Sequence, residues 1–194
     1  MMAPRDGLHA YAVDHQDDWM LFRGEHPARQ LDAGQWPVVF IHTTAGDAGS
    51  AEGWWEAREL ATVMAVRRFL GELPLRISRP RVRGHGLQRY CCGKAVLYFL
   101  RCADGGKRGE GYRLHRHSFL TRLRDCGRPL PTVDGSSRYR SWDDFCRMLA
   151  RIVVPHLLQQ GPAGQPGGQR SRRQVSVRWM APGTGDPDEA ASSC

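Results

Sequence analysis

The sequence has no long apolar segment and no regular cysteine spacing. Its longest uninterrupted apolar run is AVLYFL at 95–100, which is far too short for a transmembrane helix. Six cysteines occur, but none forms a C-x-x-C pair, and no signal-peptide apolar core precedes them. We therefore expect no transmembrane segment, reduced thiols and a cytoplasmic location.

Lysine is almost absent, since only Lys94 and Lys107 are lysines among the 28 basic residues. The net charge of +8 thus comes from arginines, which are spread from Arg5 to Arg178 with acidic residues between them. No segment carries the concentrated basic stripe that is typical of nucleic-acid-binding proteins. We expect no nucleic-acid partner, and a general attraction for an anionic substrate stays open as an alternative.

The chain length of 194 residues and its 41% hydrophobic content suit one domain with a sizeable core. We place this α/β domain at 1–158. Residues 159–174 contain too few apolar side chains to join a core, which predicts a flexible linker. Residues 175–194 are expected to supply a last strand, VSVRWM, and a truncated C-terminal loop.

Strands and helices are predicted to alternate in the first third of the chain. LHAYAV at 8–13 and WPVVFIHTT at 36–44 are typical of buried strands. The proline-free segment 54–72 predicts a helix. Its predicted apolar stripe consists of Ala57, Leu60, Ala61, Met64 and Ala65. This order predicts an α/β fold with a Rossmann-like, mostly parallel sheet and helices on both faces, whose ligands collect at the carboxyl ends of the strands.

Later segments extend this picture. From Pro80 to about Ala103, strand-like runs broken by glycines predict a small β-rich insertion, and 104–111 predicts a flexible loop. A further helix is predicted at 141–154, because Ser141 can cap it and an acidic residue follows three positions later.

The motif HQDD at 15–18 directly follows the first predicted strand. His15 and Asp18 stand three residues apart at the start of a turn, so their side chains can point into one cavity, and both are zinc ligands by type. Asp17 is then free to take a proton from an attacking water. Asp14 can hold the other ring nitrogen of His15. On local spacing alone, the alternative is a capped helix start with a solvated histidine.

Several motifs in order resemble the LmbE/PIG-L family of zinc-dependent N-acetylglucosamine deacetylases. They are DHQDDW after one strand, TTAGDAG after the next and WWEARE at the start of the following helix. The stretches YFLRCADGGKRGEGY and TVDGSSRYRSWDDF look like the branch that acts on teicoplanin-type glycopeptides. One departure is Gln16, which stands where the family usually has proline.

The resemblance implies roles for individual residues. His15 and Asp18 correspond to the first two zinc ligands, and Asp17 corresponds to the general base. Asp47 and Arg58 match positions near the substrate pocket. The alternatives for these two are an aspartate in a loop turn and a helix-surface arginine in an ion pair.

Tryptophans are the candidates for an aromatic wall of a sugar pocket. Trp55 is the one that we assign to substrate binding, while Trp19 is expected to be structural. Trp54 precedes Trp55 at the start of the same predicted helix, and tryptophans at helix starts are more often core or staple residues.

The family's third zinc ligand, a late histidine, has no counterpart, because no histidine follows His156. Three explanations compete: a truncated or frame-shifted product, substitution by another histidine, or a relative that has lost turnover. We favour truncation. Of the internal candidates, His42 ends the neighbouring strand, whereas His115 and His117 fall in a predicted loop.

The leading hypothesis is a zinc-dependent hydrolase that removes acetyl from an N-acetylglucosaminyl group, on a glycopeptide antibiotic intermediate or a similar amino sugar. The second is a non-catalytic sugar- or glycopeptide-binding remnant that lacks the third metal ligand. A third, nucleic-acid binding, rests on net charge alone.

Overall fold

A computed structural model describes residues 7–22, 24–51, 53–158 and 174–180 of the chain. The strands are β1 Gly7–Val13, β2 Val38–Thr44, β3 Leu75–Ser78, β4 Arg81–Val82, β5 His85–Gly86, β6 Gln88–Cys92, β7 Ala95–Cys102, β8 Leu130–Pro131, β9 Arg138–Tyr139 and β10 Gln174–Met180. The helices are α1 Asp18–Leu21, α2 Glu25–Ala33, α3 Trp54–Phe69, α4 Leu120–Cys126 and α5 Trp142–Leu158. Among these residues, no helix combines the length and apolar character needed to cross a membrane.

The main sheet has six strands in the order β10-β1-β2-β7-β6-β3. The first four are mutually parallel, and β6 and β3 extend the sheet in antiparallel pairing. The predicted mostly parallel α/β sheet is confirmed. The segment predicted to be a β-rich insertion supplies two strands of the main sheet. These are β7, which lies in the middle of the sheet, and β6, which pairs with β7. The β4–β5 hairpin of the same segment forms a small sheet of its own.

A hydrophobic cluster covers each face of the sheet, because successive strand residues point to opposite sides. The cluster that joins strands to α5 includes Leu8, Val39, Tyr98, Leu100, Phe145, Met148 and Ile152. The cluster that joins strands to α1, α2 and α3 includes Tyr11, Val13, Trp19, Leu31, Phe40, Val63, Val66, Leu97 and Phe99. Helices therefore pack on both faces, as predicted.

The predicted apolar stripe of α3 is wrong. Leu60 and Met64 are 56% and 39% exposed, whereas the helix buries Glu59, Thr62, Val63 and Val66. Two of these buried residues are polar, and each has a hydrogen-bond partner. Trp19 Nε1 donates to Thr62 Oγ1 at 2.8 Å, and Glu59 accepts from Arg101 at 2.7 and 2.8 Å. A periodicity count cannot anticipate such tertiary partners.

The helix predicted after Ser141 is confirmed, with Ser141 Oγ accepting from Asp144 N–H at 3.1 Å. The carboxylate of Asp144 in turn accepts from Arg140 N–H at 3.1 Å, which fixes the approach to α5. The strand predicted from 175 is present as β10, parallel to β1. The predicted linker, apart from Gln174 in β10, and the terminal loop from 181 lie outside the described residues.

Candidate active site

The candidate site lies where the three parallel strands β1, β2 and β7 end. Because these strands are neighbours that run in the same direction, their following loops meet at one edge of the sheet. These loops bring His15, Asp47 and Asp104 together. A cavity of about 650 Å³ opens there, and its wall includes His15, Arg58, Asp104, Tyr112 and Phe119.

The imidazole of His15 lies between two carboxylates. Its Nδ1 is 3.7 Å from Asp18 Oδ1, and its Nε2 is 3.5 Å from Asp104 Oδ2. Asp18 also accepts the backbone N–H of His15 at 2.7 Å, which closes the turn after β1. Asp104 and Asp18 together raise the pKa of His15 to about 10 through hydrogen bonding, against the opposing effect of burial. The structure thus brings His15 and Asp18 together, and adds Asp104.

Asp14 contacts Thr43 and not the ring of His15. Thr43 Oγ1 donates to Asp14 Oδ1 at 3.2 Å, and Thr44 fixes the Asp14 backbone by donating to its carbonyl at 2.7 Å. Burial raises the pKa of the Asp14 carboxyl group. The contact to the second ring nitrogen that we expected from Asp14 is made by Asp104 instead.

Asp17 forms an ion pair with Arg58 across the gap between the β1 loop and α3. Arg58 Nη2 donates to Asp17 Oδ1, and Nη1 donates to the Gly46 carbonyl at 3.2 Å. Arg58 belongs to the cavity wall, so it is in position to reach a bound molecule. Its ion pair orients the carboxylate that we predicted as the general base.

Asp47 organises the loops and is completely buried. Its carboxylate accepts from Asp104 N–H at 2.9 Å, from Gly49 N–H at 2.8 Å and lies 2.8 Å from His115 Nε2. Burial would raise the pKa of Asp47, but the His115 and backbone hydrogen bonds outweigh it and lower this pKa. Because its carboxylate is buried and hydrogen-bonded to groups of the protein, Asp47 is not placed to contact a sugar in the cavity.

Trp55 packs against Arg101, whose guanidinium carbon lies 4.6 Å from the ring centroid. It is not part of the cavity wall. The aromatic side chains of the wall are Tyr112, Phe119 and Trp142, which come from the segment after β7 and from the start of α5. The predicted sugar-stacking role of Trp55 therefore does not match its position.

The internal candidates for a third metal ligand have other contacts. His42 is fully buried, stacks on Phe99 at 4.6 Å between ring centroids, and has a pKa lowered to about 4 by burial. Its Nδ1 lies 3.3 Å from the His15 carbonyl oxygen. His115 is held by Asp47, and His117 Nδ1 lies 3.1 Å from the Glu110 carbonyl. Within the described part of the chain, no group of three His, Cys, Asp or Glu side chains is arranged to hold a metal ion.

Asp104 is the main site residue that sequence reasoning missed. It follows β7, so the rule that ligands collect at strand ends applies to it as well as to His15. The glycine-rich composition of 104–111 predicted a flexible loop instead. In the structure Asp104 Oδ1 accepts from Gly106 N–H at 2.9 Å, which turns the chain locally.

Comparison of the chain with models of known protein families, with characterised proteins and with solved structures gives no match.

Proposed function

We propose that this chain is a zinc-dependent hydrolase that removes the acetyl group from an N-acetylglucosaminyl moiety, with a glycopeptide antibiotic intermediate as the candidate substrate. The observation that carries the proposal is the convergence of His15 and Asp18 beside a cavity whose wall also holds Arg58. The choice of deacetylation as the reaction comes from the order of the sequence motifs, which resembles that of the LmbE/PIG-L family.

The donor set at the end of β1 fits two positions of a zinc site. An imidazole nitrogen and a carboxylate oxygen are ordinary zinc ligands, and neighbouring ligands of a tetrahedral zinc lie about 3.3 Å apart. The separation of 3.7 Å between His15 Nδ1 and Asp18 Oδ1 is close to this value. Zinc held by these two residues would supply Lewis acidity toward an amide carbonyl and toward water.

The protein's own groups supply proton transfer and orientation. Asp17 would take a proton from the attacking water and return it to the departing amine. Arg58 would keep the Asp17 carboxylate turned toward the reaction, and its guanidinium can donate hydrogen bonds to substrate oxygens at the cavity wall. The same ion pair fixes the direction of the Asp17 carboxylate.

The cavity suits part of an amino-sugar conjugate. Its volume of about 650 Å³ lies within the usual range for small-molecule sites. Tyr112 and Phe119 offer aromatic surface against which the apolar face of a sugar ring can pack. We include a cytoplasmic location in the proposal, supported by the free state of the five described cysteines.

Zinc content and acetate release together test the proposal. Purified protein is equilibrated with zinc, dialysed, and assayed for bound metal and for acetate released from an N-acetylglucosaminyl glycopeptide. We expect bound zinc and acetate release, with both lost in His15→Ala and retained in the control His117→Ala, whose ring is exposed on another loop. Equal zinc content in the wild type and His15→Ala would contradict the proposal.

A glycopeptide-binding protein without turnover is the second candidate. It is favoured by the lack of a third metal ligand beside His15 and Asp18 among the described residues. It predicts saturable glycopeptide binding that a chelator leaves unchanged and that produces no acetate. Chelator-sensitive acetate release would exclude it.

A further inference from the structure

A second cavity lies away from His15 and shares no wall residue with the first. Its volume is about 760 Å³. The wall is built from the turn between β4 and β5, the β8–β9 hairpin and the approach to α5. Three polar side chains on it form a hydrogen-bonded row: Ser137, His85 and Asp144.

The row joins a hydroxyl, an imidazole and a carboxylate in that order. Ser137 Oγ lies 2.8 Å from His85 Nδ1, and His85 Nε2 lies 3.2 Å from both carboxylate oxygens of Asp144. An ionised carboxylate only accepts hydrogen bonds, so the proton of a neutral His85 belongs on Nε2. Nδ1 is then the acceptor for the Ser137 hydroxyl proton.

This polarity is what a serine nucleophile requires. A weakly nucleophilic hydroxyl is activated when a base accepts its proton and a third group holds that base in one tautomer. In the chymotrypsin triad Nε2 faces the serine and Nδ1 faces the aspartate, whereas in this row the two ring nitrogens are exchanged. The donor–acceptor order from hydroxyl to carboxylate is the same.

Each member of the row is held by other contacts. The Ser137 backbone is tied to Thr132, which accepts its N–H at 3.0 Å through Oγ1 and donates to its carbonyl at 3.0 Å. His85 is buried and stacks on Tyr139 with 4.7 Å between ring centroids. Asp144 is fixed by the Arg140 N–H and by its place in the first turn of α5. These contacts hold Ser137, His85 and Asp144 next to one another in the absence of a ligand.

Three arginines of the same wall set the charge of the cavity. Arg83, Arg138 and Arg140 are exposed, and within the described chain none of their guanidinium groups lies within ion-pair distance of a carboxylate. The carboxylate of Asp144 is already engaged by His85. The cavity is therefore cationic, and its free guanidinium groups can bind an anionic substrate or an oxyanion.

We propose that this cavity is a second, serine-based hydrolytic site that cleaves esters of anionic acyl groups, with Ser137 as nucleophile and His85 as general base. Ser137 Oγ bonds to the acyl carbon while its proton passes to His85 Nδ1. The acyl C–O bond then breaks, and His85 returns the proton to the leaving alcohol oxygen. Water repeats the sequence on the acyl-serine and releases a carboxylic acid and free Ser137.

Labelling with a fluorophosphonate probe tests the nucleophile. We expect one adduct on the peptide that contains Ser137, and none in Ser137→Ala. Ser136→Ala is the matched control, because Ser136 is the neighbouring residue and its hydroxyl donates to Asp134 at 2.9 Å, away from His85. Ser137 unlabelled in a folded protein, or labelled at the same rate as Ser136, overturns the proposal.

Hydrolysis of p-nitrophenyl esters tests the base and the substrate class. Asp144→Asn removes the group that fixes the His85 tautomer, and should lower kcat by about 10²-fold or more while the protein stays folded. His85→Gln should lower it at least as far. The wild type should prefer mono-p-nitrophenyl succinate over neutral p-nitrophenyl butyrate, and Arg138→Gln should reduce that preference through KM. Unchanged turnover in Asp144→Asn and His85→Gln would overturn the assignment.

Discussion

Asp104 Oδ2 lies 3.5 Å from His15 Nε2, so the loop after β7 is joined to the loop after β1. The backbone N–H of Asp104 also donates to Asp47 at 2.9 Å, which adds the loop after β2. One residue thus connects the ends of three parallel strands. This connection holds the His15 ring in the orientation that its proposed role requires.

Asp104→Asn should weaken zinc binding if His15 is a ligand. The amide keeps the size and the backbone N–H of Asp104 but removes the charge that faces His15 Nε2. Loss of such an outer hydrogen-bond partner typically costs 10–100-fold in metal affinity. We expect the zinc Kd, measured by chelator competition, to rise by about that factor.

The control for this substitution is Asp125→Asn, which removes an exposed carboxylate whose ion-pair partner among the described residues is Arg124. It should leave the zinc Kd unchanged. An Asp104→Asn protein with the wild-type zinc Kd would show that Asp104 serves the fold and not the metal site.

Gly46→Ala should disturb the pairing of Asp17 with Arg58. Gly46 has φ +58°, and an added Cβ would lie 2.7 Å from Gln16 Oε1 and 3.1 Å from Arg58 Cζ. The left-handed backbone alone costs about 1 kcal/mol with a side chain, and the contacts add to it. We expect a loss of about 2 kcal/mol in the free energy of unfolding and a drop in acetate release, measured by urea titration and activity assay.

Gly53→Ala separates these two contributions. Gly53 has φ +64°, but an added Cβ there meets no atom within 4 Å. Its loss of stability should be the smaller of the two, and acetate release should stay near the wild-type value. Equal losses in both variants would mean that the contacts of Gly46 with Gln16 and Arg58 contribute nothing.

The sheet could be predicted from the sequence because its signals are local. VVFIHTT in β2 consists of apolar and β-branched residues apart from His42, and the predicted first strand is confirmed within one residue as Gly7–Val13. The approach of His15 to Asp18 was likewise predictable, since both belong to one turn.

The walls of the candidate site were not predictable in the same way. Asp104, Tyr112 and Phe119 come from a glycine-rich segment without periodicity, and only folding places them beside His15. Asp47 and Trp55 have side chains of a type that could contact a sugar. The Asp47 carboxylate instead contacts His115, and the Trp55 ring packs against Arg101. These are contacts between residues far apart in the chain, which local patterns do not encode.

Asp134→Asn should remove a pH-dependent part of the stability. Burial would raise the pKa of Asp134, but hydrogen bonds from Thr132 and Arg101 outweigh it and lower this pKa to about 2, from 3.8 in the unfolded chain. The stabilisation is therefore fully present above about pH 5 and is lost as pH falls toward 2. Allowing for solvent screening, it amounts to about 1 kcal/mol at neutral pH.

Urea unfolding of the wild type and Asp134→Asn between pH 7 and 3 measures this contribution. The difference in unfolding free energy between the two proteins should stay constant down to about pH 5 and then shrink. A difference that grows toward low pH would contradict the sign of the pKa shift.

Helix α3 packs on the sheet through a face other than its predicted apolar stripe, which can be tested by substitution. Val66 is fully buried against the sheet, whereas Leu60 on the same helix is 56% exposed. Val66→Ala should therefore lower the free energy of unfolding by about 2 kcal/mol, through lost packing and a cavity. Leu60→Ala removes a larger side chain but should change stability by less than about 0.5 kcal/mol. Alanine improves the helix propensity more at Val66 than at Leu60, so propensity works against the expected difference. A greater loss in Leu60→Ala would restore the orientation predicted from the apolar stripe.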